Sequence, residues 1–234
     1  MREGHYTVCE MMAITSEQPI SVEEVLRYAT LLDEYGVAGF SWGITWRSES
    51  GSIKRYRAVE GIRRDSLVHR ALTGVSSTQF LVHLRRPSLM STISFVNAQP
   101  YLSQDGELAF AHNGFFARHR EFRSTYQPEI IGTSDSEVGF QYYAHQLANG
   151  MDASEALTVT HSELGGDANI GVMRADGSLF FYAGHHDNAV YTFTIDGARF
   201  VTTALHSGDD YVFQSVFPRA EAILRVPSRT VYAL

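Results

Sequence analysis

The sequence predicts an α+β fold with antiparallel sheets, for three reasons. Runs of apolar and β-branched residues recur along the whole chain, and turn residues separate many of them. Two of these turns, Asp176-Gly177 and Asp196-Gly197, carry Asp-Gly between strands, the strongest short-range indication of a hairpin. The helical segments are grouped between strands and do not alternate with them one for one. This order favours antiparallel sheets over a βαβ winding.

The first half of the chain begins with a strand and a helix. Residues 6–14 (YTVCEMMAI) form an apolar run that predicts a buried strand. Ser21 and Glu24 form a capping-box pattern, and the following VLRYATLLDEYG carries apolar residues at helical spacing up to Gly36, so a helix is predicted over 22–35. Further strands are predicted at 40–48, 53–60, 78–85 and 107–113, with a short helix at 65–73.

The second half of the chain contains two more helices and then hairpins. Ser134 and Glu137 repeat the capping-box pattern, so SEVGFQYYAHQLA is predicted to be helical and to end at Asn149-Gly150. A third helix is predicted near 153–163. The remaining strands are predicted as hairpins within 168–184, 189–205 and 222–234.

Length and composition indicate one globular domain. The 234 residues, 44% of them hydrophobic, suffice for a substantial core, and no linker, low-complexity tract or internal repeat divides them. The N-terminal MREGHYTV lacks the apolar region of a secretory signal, and no run approaches the roughly 18 apolar residues of a membrane span. We therefore expect a cytoplasmic protein with no membrane partner.

The charge balance argues against nucleic-acid binding. The formal net charge is −7 at pH 7, whereas nucleic-acid binders present basic surfaces. The basic clusters are short and are interrupted by acidic or apolar residues, as at Arg63-Arg64 and Arg85-Arg86. Such clusters are typical of solvated faces, so no nucleic-acid partner is expected.

The chain has a single cysteine, Cys9, in an apolar run near the N-terminus. One cysteine cannot form an intrachain disulfide, and a cysteine-based zinc site would need ligands that are absent from the sequence. The thiol therefore serves either core packing or chemistry.

Three further places carry polar groups suited to chemistry. Arg85 ends the apolar run FLVHLR, and its planar guanidinium can hold a carboxylate in two parallel hydrogen bonds. Asn113-Gly114 ends ELAFAHNG, where an amide side chain and a backbone N–H could hold one oxygen. Asp135 lies at a helix start, where a carboxylate is stabilised and could receive an ammonium. Taken singly, each also fits a structural interpretation: a surface arginine, a turn and a helix cap.

Other catalytic motifs are missing or weak. The sequence has no G-x-S-x-G, P-loop, dinucleotide-binding or H-E-x-x-H pattern. His185-His186-Asp187 most resembles a metal site, but adjacent histidines on a strand point to opposite faces and cannot share one ion without a bend. A polar turn is the simpler interpretation, and a metal-dependent hydrolase using His185 and His186 stays open as a minor alternative.

Six segments, in order, give the chain a family resemblance: VCEMMAITS, GFSWGITW, VHLRRPS, VNAQPY, AHNG and TSDSE. With these segments the chain resembles the class II glutamine amidotransferases of the N-terminal-nucleophile hydrolase superfamily, especially the small stand-alone members. The resemblance runs from Cys9 to about Glu137, with weaker similarity beyond.

The resemblance implies a fold and a reaction. The fold is a four-layer αββα sandwich of two antiparallel sheets. The reaction is amide hydrolysis or transfer by an N-terminal Cys9, whose own α-amine takes the thiol proton, since its unperturbed pKa of about 8 is near neutrality. The thiolate attacks the side-chain amide of glutamine or a γ-glutamyl amide, releases ammonia or an amine, and leaves a glutamyl thioester. No cofactor or metal is implied.

The resemblance also assigns roles to individual residues. The Asn113 side-chain N–H and the Gly114 backbone N–H are expected to hold the tetrahedral oxyanion. Arg85 is expected to bind the substrate α-carboxylate, and Asp135 its α-ammonium.

Further residues match motif positions. Ser88 is expected to assist Arg85, while Trp42 and Gly43 are expected to shape the pocket wall. We expect His83 and His112 to support the site from the core and not to act on the substrate.

The start of the chain departs from the family pattern. Residues 1–8 precede Cys9, and while they remain attached the cysteine nitrogen is a non-basic amide. We expect residues 1–8 to be a cleaved propeptide or an incorrectly assigned start, with Val8 as the true initiator, and residues 9–234 to form a single glutamine amidotransferase domain. Glu10, Phe40 and Ser41 also differ from residues common in the family and are expected to affect specificity.

The resemblance leaves the partner open. Larger relatives fuse a synthase domain that consumes the ammonia, so this chain is expected either to work with a separate synthase or ligase subunit or to hydrolyse a γ-glutamyl amide alone. The alternative is a catalytically silent module of the same fold that binds a ligand or partner and retains its N-terminal extension.

Overall fold

The computed structural model describes residues 9–36, 38–204 and 210–234, which form the following strands and helices. The strands are β1 (Glu10–Ser21), β2 (Trp42–Arg47), β3 (Ile53–Ala58), β4 (Ser76–Leu84), β5 (Tyr101–Leu102), β6 (Leu108–Phe116), β7 (Gly166–Arg174), β8 (Leu179–Ala183), β9 (Val190–Ile195), β10 (Ala198–Thr203), β11 (Glu221–Arg225) and β12 (Thr230–Ala233). The helices are α1 (Val22–Tyr35), α2 (Val68–Leu72), α3 (His119–Arg123), α4 (Asp135–Ala148), α5 (Ala153–Leu164) and α6 (Asp210–Val216).

Two antiparallel sheets lie face to face between layers of helices. The larger sheet has the order β11-β9-β10-β1-β4-β2-β3, and the smaller has the order β12-β8-β7-β6-β5. Helix α1 packs on β1 and β4 of the larger sheet, whereas α4 and α5 pack on β6 and β7 of the smaller. A third apolar cluster, made mainly of strand residues from both sheets, fills the space between them. The predicted α+β fold and its four-layer αββα arrangement are confirmed.

The side chains of β1 alternate between two cores, as the pleat of a strand requires. Met11 and Ala13 belong to the cluster between the sheets, while Met12 and Ile14 belong to the cluster under α1. Cys9 directly precedes β1 and has the same parity as Met11. Its side chain therefore faces the layer between the sheets.

Helix α1 has the predicted bounds because its sequence marks both ends. The Ser21 hydroxyl accepts a hydrogen bond from the Glu24 N–H at 3.3 Å, and the Gly36 N–H donates to the Leu32 carbonyl. Val25 and Leu32 are fully buried against the sheet, and burying an aliphatic side chain of this size contributes about 1.5–3 kcal/mol. None of the helices in the described part of the chain is long and apolar enough to cross a membrane.

Three elements differ from the sequence prediction. The hairpin predicted within 222–234 does not form, because β11 pairs with β9 of the larger sheet and β12 pairs with β8 of the smaller sheet. The strand predicted at 6–14 is longer, since β1 runs from Glu10 to Ser21 and continues past a register shift between Thr15 and Ile20; residues 6–8 lie outside the described residues. The helix predicted at 65–73 contracts to α2, because Asp65 instead accepts hydrogen bonds from the Trp42 indole and the Tyr56 hydroxyl.

The second capping box is also only partly formed. Ser134 does cap α4, accepting from the Ser136 N–H at 3.2 Å. Glu137 does not reach back to Ser134; its two carboxylate oxygens accept from the Ile131 and Gly132 N–H groups at 2.9 and 2.7 Å. The acidic residue of this motif therefore fixes the preceding loop.

Both Asp-Gly hairpins are confirmed. Strand β7 pairs with β8 and β9 with β10, each in antiparallel register. Asp196 and Gly197 adopt φ values of 49° and 82°, the left-handed conformation that a tight primed turn requires. The last residue of the 189–205 prediction lies outside the described part of the chain.

Candidate active site

Cys9 lies where β1 enters the layer between the sheets. Glu10 pairs with Leu84, which places Cys9 beside the Arg85-Arg86 segment that follows β4. The Arg86 N–H lies 3.3 Å from the Cys9 sulfur, and the Arg86 carbonyl oxygen lies 3.6 Å from it. The thiol is buried, and backbone groups fix its position.

Burial raises the pKa of the Cys9 thiol to about 12. The Arg86 N–H and the Arg85 guanidinium oppose this shift, whereas the Glu10 and Asp135 carboxylates add to it. Arg85 and Asp135 therefore both act electrostatically on this sulfur. The thiol is protonated at neutral pH, so a base must take its proton before it can act as a nucleophile.

Asn113, near the end of β6, contacts the main chain of the cysteine. Its side chain is fully buried, and its Oδ1 accepts a hydrogen bond from the Cys9 backbone nitrogen at 2.8 Å. Among the described residues, the Asn113 Nδ2 group has no hydrogen-bond partner. A buried amide without a partner costs about 1–3 kcal/mol, so an unpaired donor beside a thiol indicates a ligand position.

Gly114 follows Asn113 within β6, so these two residues belong to a strand and do not form a turn. Its φ of 135° strongly favours glycine, and a Cβ at this position would overlap the Asp167 carbonyl oxygen of β7. The local geometry therefore requires glycine, independently of any role in chemistry.

Arg85 is buried and not a surface arginine. Its Nη1 donates to the Thr92 carbonyl at 3.0 Å and its Nη2 donates to the Thr92 hydroxyl at 2.8 Å. The structure thus assigns to Thr92 the hydroxyl contact that we expected of Ser88, which is exposed. The sequence missed Thr92 because it lies outside the H-x-R-x-x-[ST] spacing.

Asp135 begins α4, with Ser134 as its cap, and faces β6. Its Oδ2 accepts from the Phe116 N–H at 2.9 Å and lies 3.9 Å from Nδ1 of His112. Burial lowers the pKa of His112 to about 4 although Asp135 opposes the shift, so the imidazole is neutral at neutral pH. The carboxylate is therefore not neutralised by a histidinium.

Asn97 joins the two segments that carry Arg85 and Asp135. Its Oδ1 accepts from the Thr133 and Ser134 N–H groups at 2.9 and 3.2 Å, and its Nδ2 donates to the Thr92 carbonyl at 2.9 Å. One buried amide thus connects the loop holding Arg85 to the start of α4. The segment VNAQPY contains this residue, but its role follows only from the folded contacts.

His83 of the larger sheet and Gln99, which precedes β5 of the smaller sheet, both bind the backbone of His112 on β6. His83 Nε2 lies 3.1 Å from the His112 carbonyl, and Gln99 Oε1 accepts from the His112 N–H at 2.7 Å. Burial lowers the pKa of His83 to about 3. A Cβ on Gly43 would overlap the Gln99 carbonyl, so glycine permits this close approach.

Trp42 does not line the site, which corrects our expectation. Its indole is buried in the cluster under α1 and donates to Asp65 at 3.0 Å. Trp42 and Gly43 are adjacent on β2, so their side positions face opposite sides of the sheet, and only Gly43 faces the layer between the sheets.

His185 and His186 separate as expected for a turn. His185 is buried, and its Nδ1 accepts from the Asp187 and Asn188 N–H groups, both at 3.1 Å. His186 is exposed and pairs with Asp187. Across the described residues, no group of three or more histidine, cysteine or acidic side chains could hold a metal ion.

Comparison with solved structures identifies the fold. Glutamine phosphoribosylpyrophosphate amidotransferase from B. subtilis superposes with a TM-score of 0.70 at 16% identity, covering 97% of this chain and 49% of that one. A glutamine aminotransferase class-II domain protein from Silicibacter pomeroyi superposes with a TM-score of 0.63 at 17% identity, covering 96% and 94%. This chain has the fold of a class II glutamine amidotransferase domain. A predicted glutamine amidotransferase from Pseudomonas aeruginosa superposes with a TM-score of 0.56 at 16% identity, and the match covers 96% of each chain.

Sequence comparison gives weaker similarity to the same class. No family model matches the chain. Glutamine–fructose-6-phosphate aminotransferases from Bacillus thuringiensis subsp. konkukian and Bacillus anthracis are 26% identical over 142 residues, which is 60% of this chain. The matched region is 22% of the length of those enzymes, so their whole activity does not transfer with it.

Proposed function

We propose that this protein is a class II glutamine amidotransferase that hydrolyses the side-chain amide of glutamine or a γ-glutamyl amide, with Cys9 as nucleophile. One observation carries the proposal: the only cysteine lies with its backbone nitrogen 2.8 Å from Oδ1 of a buried asparagine whose Nδ2 lacks a partner in the described structure. A nucleophile beside an unsatisfied donor is the arrangement that acyl transfer requires.

The first step needs the Cys9 α-amine in its free, neutral form. The amine takes the thiol proton, directly or through a water. A base is needed because burial raises the pKa of the thiol. The thiolate sulfur then bonds to the amide carbon, and the carbonyl electron pair moves onto oxygen. Asn113 Nδ2–H and the Gly114 N–H stabilise this oxyanion.

The second step breaks the carbon–nitrogen bond. The protonated α-amine returns its proton to the leaving nitrogen, which departs as ammonia or an amine and leaves a glutamyl thioester on Cys9. Water then attacks the thioester with the same amine as base. Glutamate leaves and the thiol is restored, so protons and charge balance over the cycle.

Two charged groups recognise the substrate ends. Arg85 binds the α-carboxylate with donors beyond the two that Thr92 occupies, because a guanidinium has five N–H groups. Asp135, whose side chain is 18% exposed, accepts the α-ammonium. The opposed effects of Arg85 and Asp135 on the pKa of the Cys9 thiol support placing both near one substrate.

Removal of residues 1–8 is part of the proposal, since they convert the α-amine into an amide. Either the Val8–Cys9 bond is cleaved, or translation starts at Val8 and the initiator is trimmed, which leaves residues 9–234 as one amidotransferase domain. Intact-mass measurement on protein from the native host distinguishes these routes from retention. A chain beginning at Met1 would contradict both.

The ammonia is either released into water or used by a separate synthase or ligase subunit. We place the reaction in the cytoplasm. The curated relatives are named as aminotransferases that use glutamine, but this chain matches only 22% of their length. The similarity therefore supports a glutaminase half-reaction and does not specify the acceptor.

The test is a glutaminase assay on protein beginning at Cys9, beside Cys9→Ala. We expect glutamine-dependent ammonia release from the first, reduced to background in the second, with circular dichroism showing the same fold. Equal background rates from the two proteins would instead support a catalytically silent binding module.

A further inference from the structure

A cleft that Cys9 does not line contains two arginines, neither of which forms an ion pair with a carboxylate of the described residues. It lies between β3, the segment 96–104 and α4, and has a volume of about 350 Å³, within the range of small-molecule sites. Arg55 and Arg57 extend into its lining from β3, the edge strand of the larger sheet. We propose that this cleft binds a small molecule through a dianionic phosphate group held by Arg55 and Arg57.

The first support is the state of the two guanidiniums. Within the described residues neither forms an ion pair with a carboxylate within 4 Å; the ion pairs that are formed involve other arginines and histidines. Arg55 Nη1 donates to the Pro100 carbonyl at 3.5 Å, and Arg57 Nη1 donates to the Ala98 carbonyl at 2.6 Å. Both side chains are only partly exposed, so these charges are fixed against the protein.

The second support is an unsatisfied donor. Arg57 Nε is buried and has no hydrogen-bond partner among the described residues. The Arg57 guanidinium also lies 4.6 Å from the centre of the Phe95 ring, which holds it in place. Burial, followed by the charge of Arg55, lowers the pKa of Arg57 to about 10, so the group remains charged at neutral pH while the two like charges repel.

These features favour a phosphate over a carboxylate. Two guanidiniums offer several N–H donors in planar forks, which match the terminal oxygens of a phosphate monoester. A dianion also offsets both positive charges, whereas one carboxylate offsets one.

Two acidic residues also line the cleft. Glu137 uses both oxygens on the Ile131 and Gly132 N–H groups, while Glu129 is exposed. Glu129 is the carboxylate whose removal should therefore favour an anion. The apolar part of the lining, which includes Ile131 and Phe140, leaves room for the rest of the ligand.

The cleft is connected to the candidate active site through one short segment. Arg57 and Arg55 bind the carbonyls of Ala98 and Pro100, which flank Gln99, and Gln99 binds the His112 backbone. Occupancy is therefore expected to change KM for glutamine. This consequence rests on the proposed function, but binding itself does not.

Isothermal titration calorimetry with inorganic phosphate, against succinate at equal ionic strength, tests the proposal. We expect saturable phosphate binding to the wild-type protein, at least about tenfold weaker in Arg55→Gln and in Arg57→Gln, because each removes charge-assisted hydrogen bonds. Arg70→Gln, at an exposed arginine of α2, is the matched control and should bind as the wild type does. Glu129→Gln should bind phosphate a few-fold more tightly.

The contradicting outcomes are equally specific. Absence of saturable phosphate binding, succinate binding as tight as phosphate, or the same affinity in Arg57→Gln and Arg70→Gln would each overturn the proposal. Arg57→Lys guards against misfolding, since it keeps the charge but loses the fork, and intermediate affinity is expected. Failure of glutaminase activity in the same preparations would contradict the proposed function alone.

Discussion

Asn113 and Asn169 lie opposite each other on β6 and β7, and both side chains are fully buried, yet their hydrogen bonding differs. Asn169 Nδ2 donates to the Asn188 carbonyl at 2.8 Å, and its Oδ1 accepts from the Gly184 and His185 N–H groups at 3.2 and 3.1 Å. Asn113 uses its Oδ1 on Cys9, while no described residue accepts from its Nδ2.

The comparison separates an amide with both groups hydrogen-bonded from one whose donor is left for the proposed reaction. A buried amide with its oxygen and nitrogen both bonded stabilises the loop after β8, and any ligand would have to displace those bonds. A buried amide with an unpaired donor lowers the free energy of unfolding of the ligand-free protein. A bound ligand that accepts from this donor raises that free energy. Neighbouring residues of the same type thus differ in hydrogen bonding because of what surrounds them.

Replacing each asparagine by alanine should separate an effect on activity from an effect on stability. These are the largest effects that we expect. Asn113→Ala removes the proposed oxyanion donor, so we expect kcat to fall about 10²–10³-fold with a loss of about 1 kcal/mol in unfolding free energy. Asn169→Ala leaves several buried backbone groups unpaired and should cost about 3 kcal/mol or more. Glutaminase kinetics and urea denaturation on both variants measure the division; the reverse pattern would contradict the assignment.

Arg85 and Thr92 extend the comparison to substrate binding. Arg85→Gln should raise KM for glutamine by about tenfold or more, because the substrate carboxylate loses a charged partner. Thr92→Val removes only the hydroxyl that accepts from Nη2, so a smaller rise of a few-fold is expected. An unchanged KM in Arg85→Gln would remove this residue from the carboxylate role.

His83 shows the energetic consequence of full burial. Burial holds the pKa of His83 at about 3 in the folded protein, against 6.5 without burial. Between these values the unfolded chain binds a proton that the folded chain does not, so the stability present above pH 6.5 is lost as pH falls through this window. His83→Gln should reduce the slope of unfolding free energy with pH by about 1.4 kcal/mol per unit.

His69, which is exposed on α2, provides the control for that experiment. His69→Gln makes the same substitution at a side chain that stays exposed to solvent, so its slope is the reference for that of His83→Gln. Urea denaturation of the three proteins at several values between pH 4 and pH 7 gives the slopes. Equal slopes for His83→Gln and the wild type would show that His83 does not contribute this proton.

Ser88 should give the smallest effect. The side chain is exposed, and the hydroxyl that contacts Arg85 belongs to Thr92. Ser88→Ala should therefore change KM for glutamine less than twofold, well below the effect of Thr92→Val. A larger change for Ser88→Ala would return Ser88 to the role that its motif position implied.

The sequence was sufficient for elements whose ends carry local chemistry. Helix α1 is bounded by a cap at Ser21 and by Gly36, and both hairpin turns carry Asp-Gly, so short-range preferences determine them. The helix predicted at 65–73 was too long because Asp65 is engaged by Trp42 and Tyr56, which are distant in sequence. Such contacts override local propensity.

The sequence could propose a site residue where a motif marks it, but not where the fold alone brings groups together. The proposals for Cys9, Arg85 and Asn113 follow from the order of motifs. The bridge through Asn97 and the role of Thr92 depend on the docking of two loops, which no spacing encodes. The sequence placed Trp42 at the site wrongly. Strand parity shows only that Trp42 and Gly43 face opposite sides of the sheet; which of them faces the layer between the sheets depends on the packing of α1.

The proposed reaction depends above all on the free α-amine of Cys9. The most direct measurement compares glutamine hydrolysis by protein beginning at Cys9 with the same protein carrying one additional alanine before Cys9, across pH 6 to 9. We expect kcat/KM of the first to rise with pH through the amine pKa of about 8, and the second to be slower by about 10²-fold or more, because its nitrogen is an amide and cannot take the thiol proton. Equal rates and equal pH profiles for the two proteins would contradict the central claim that the amine of this cysteine is the base.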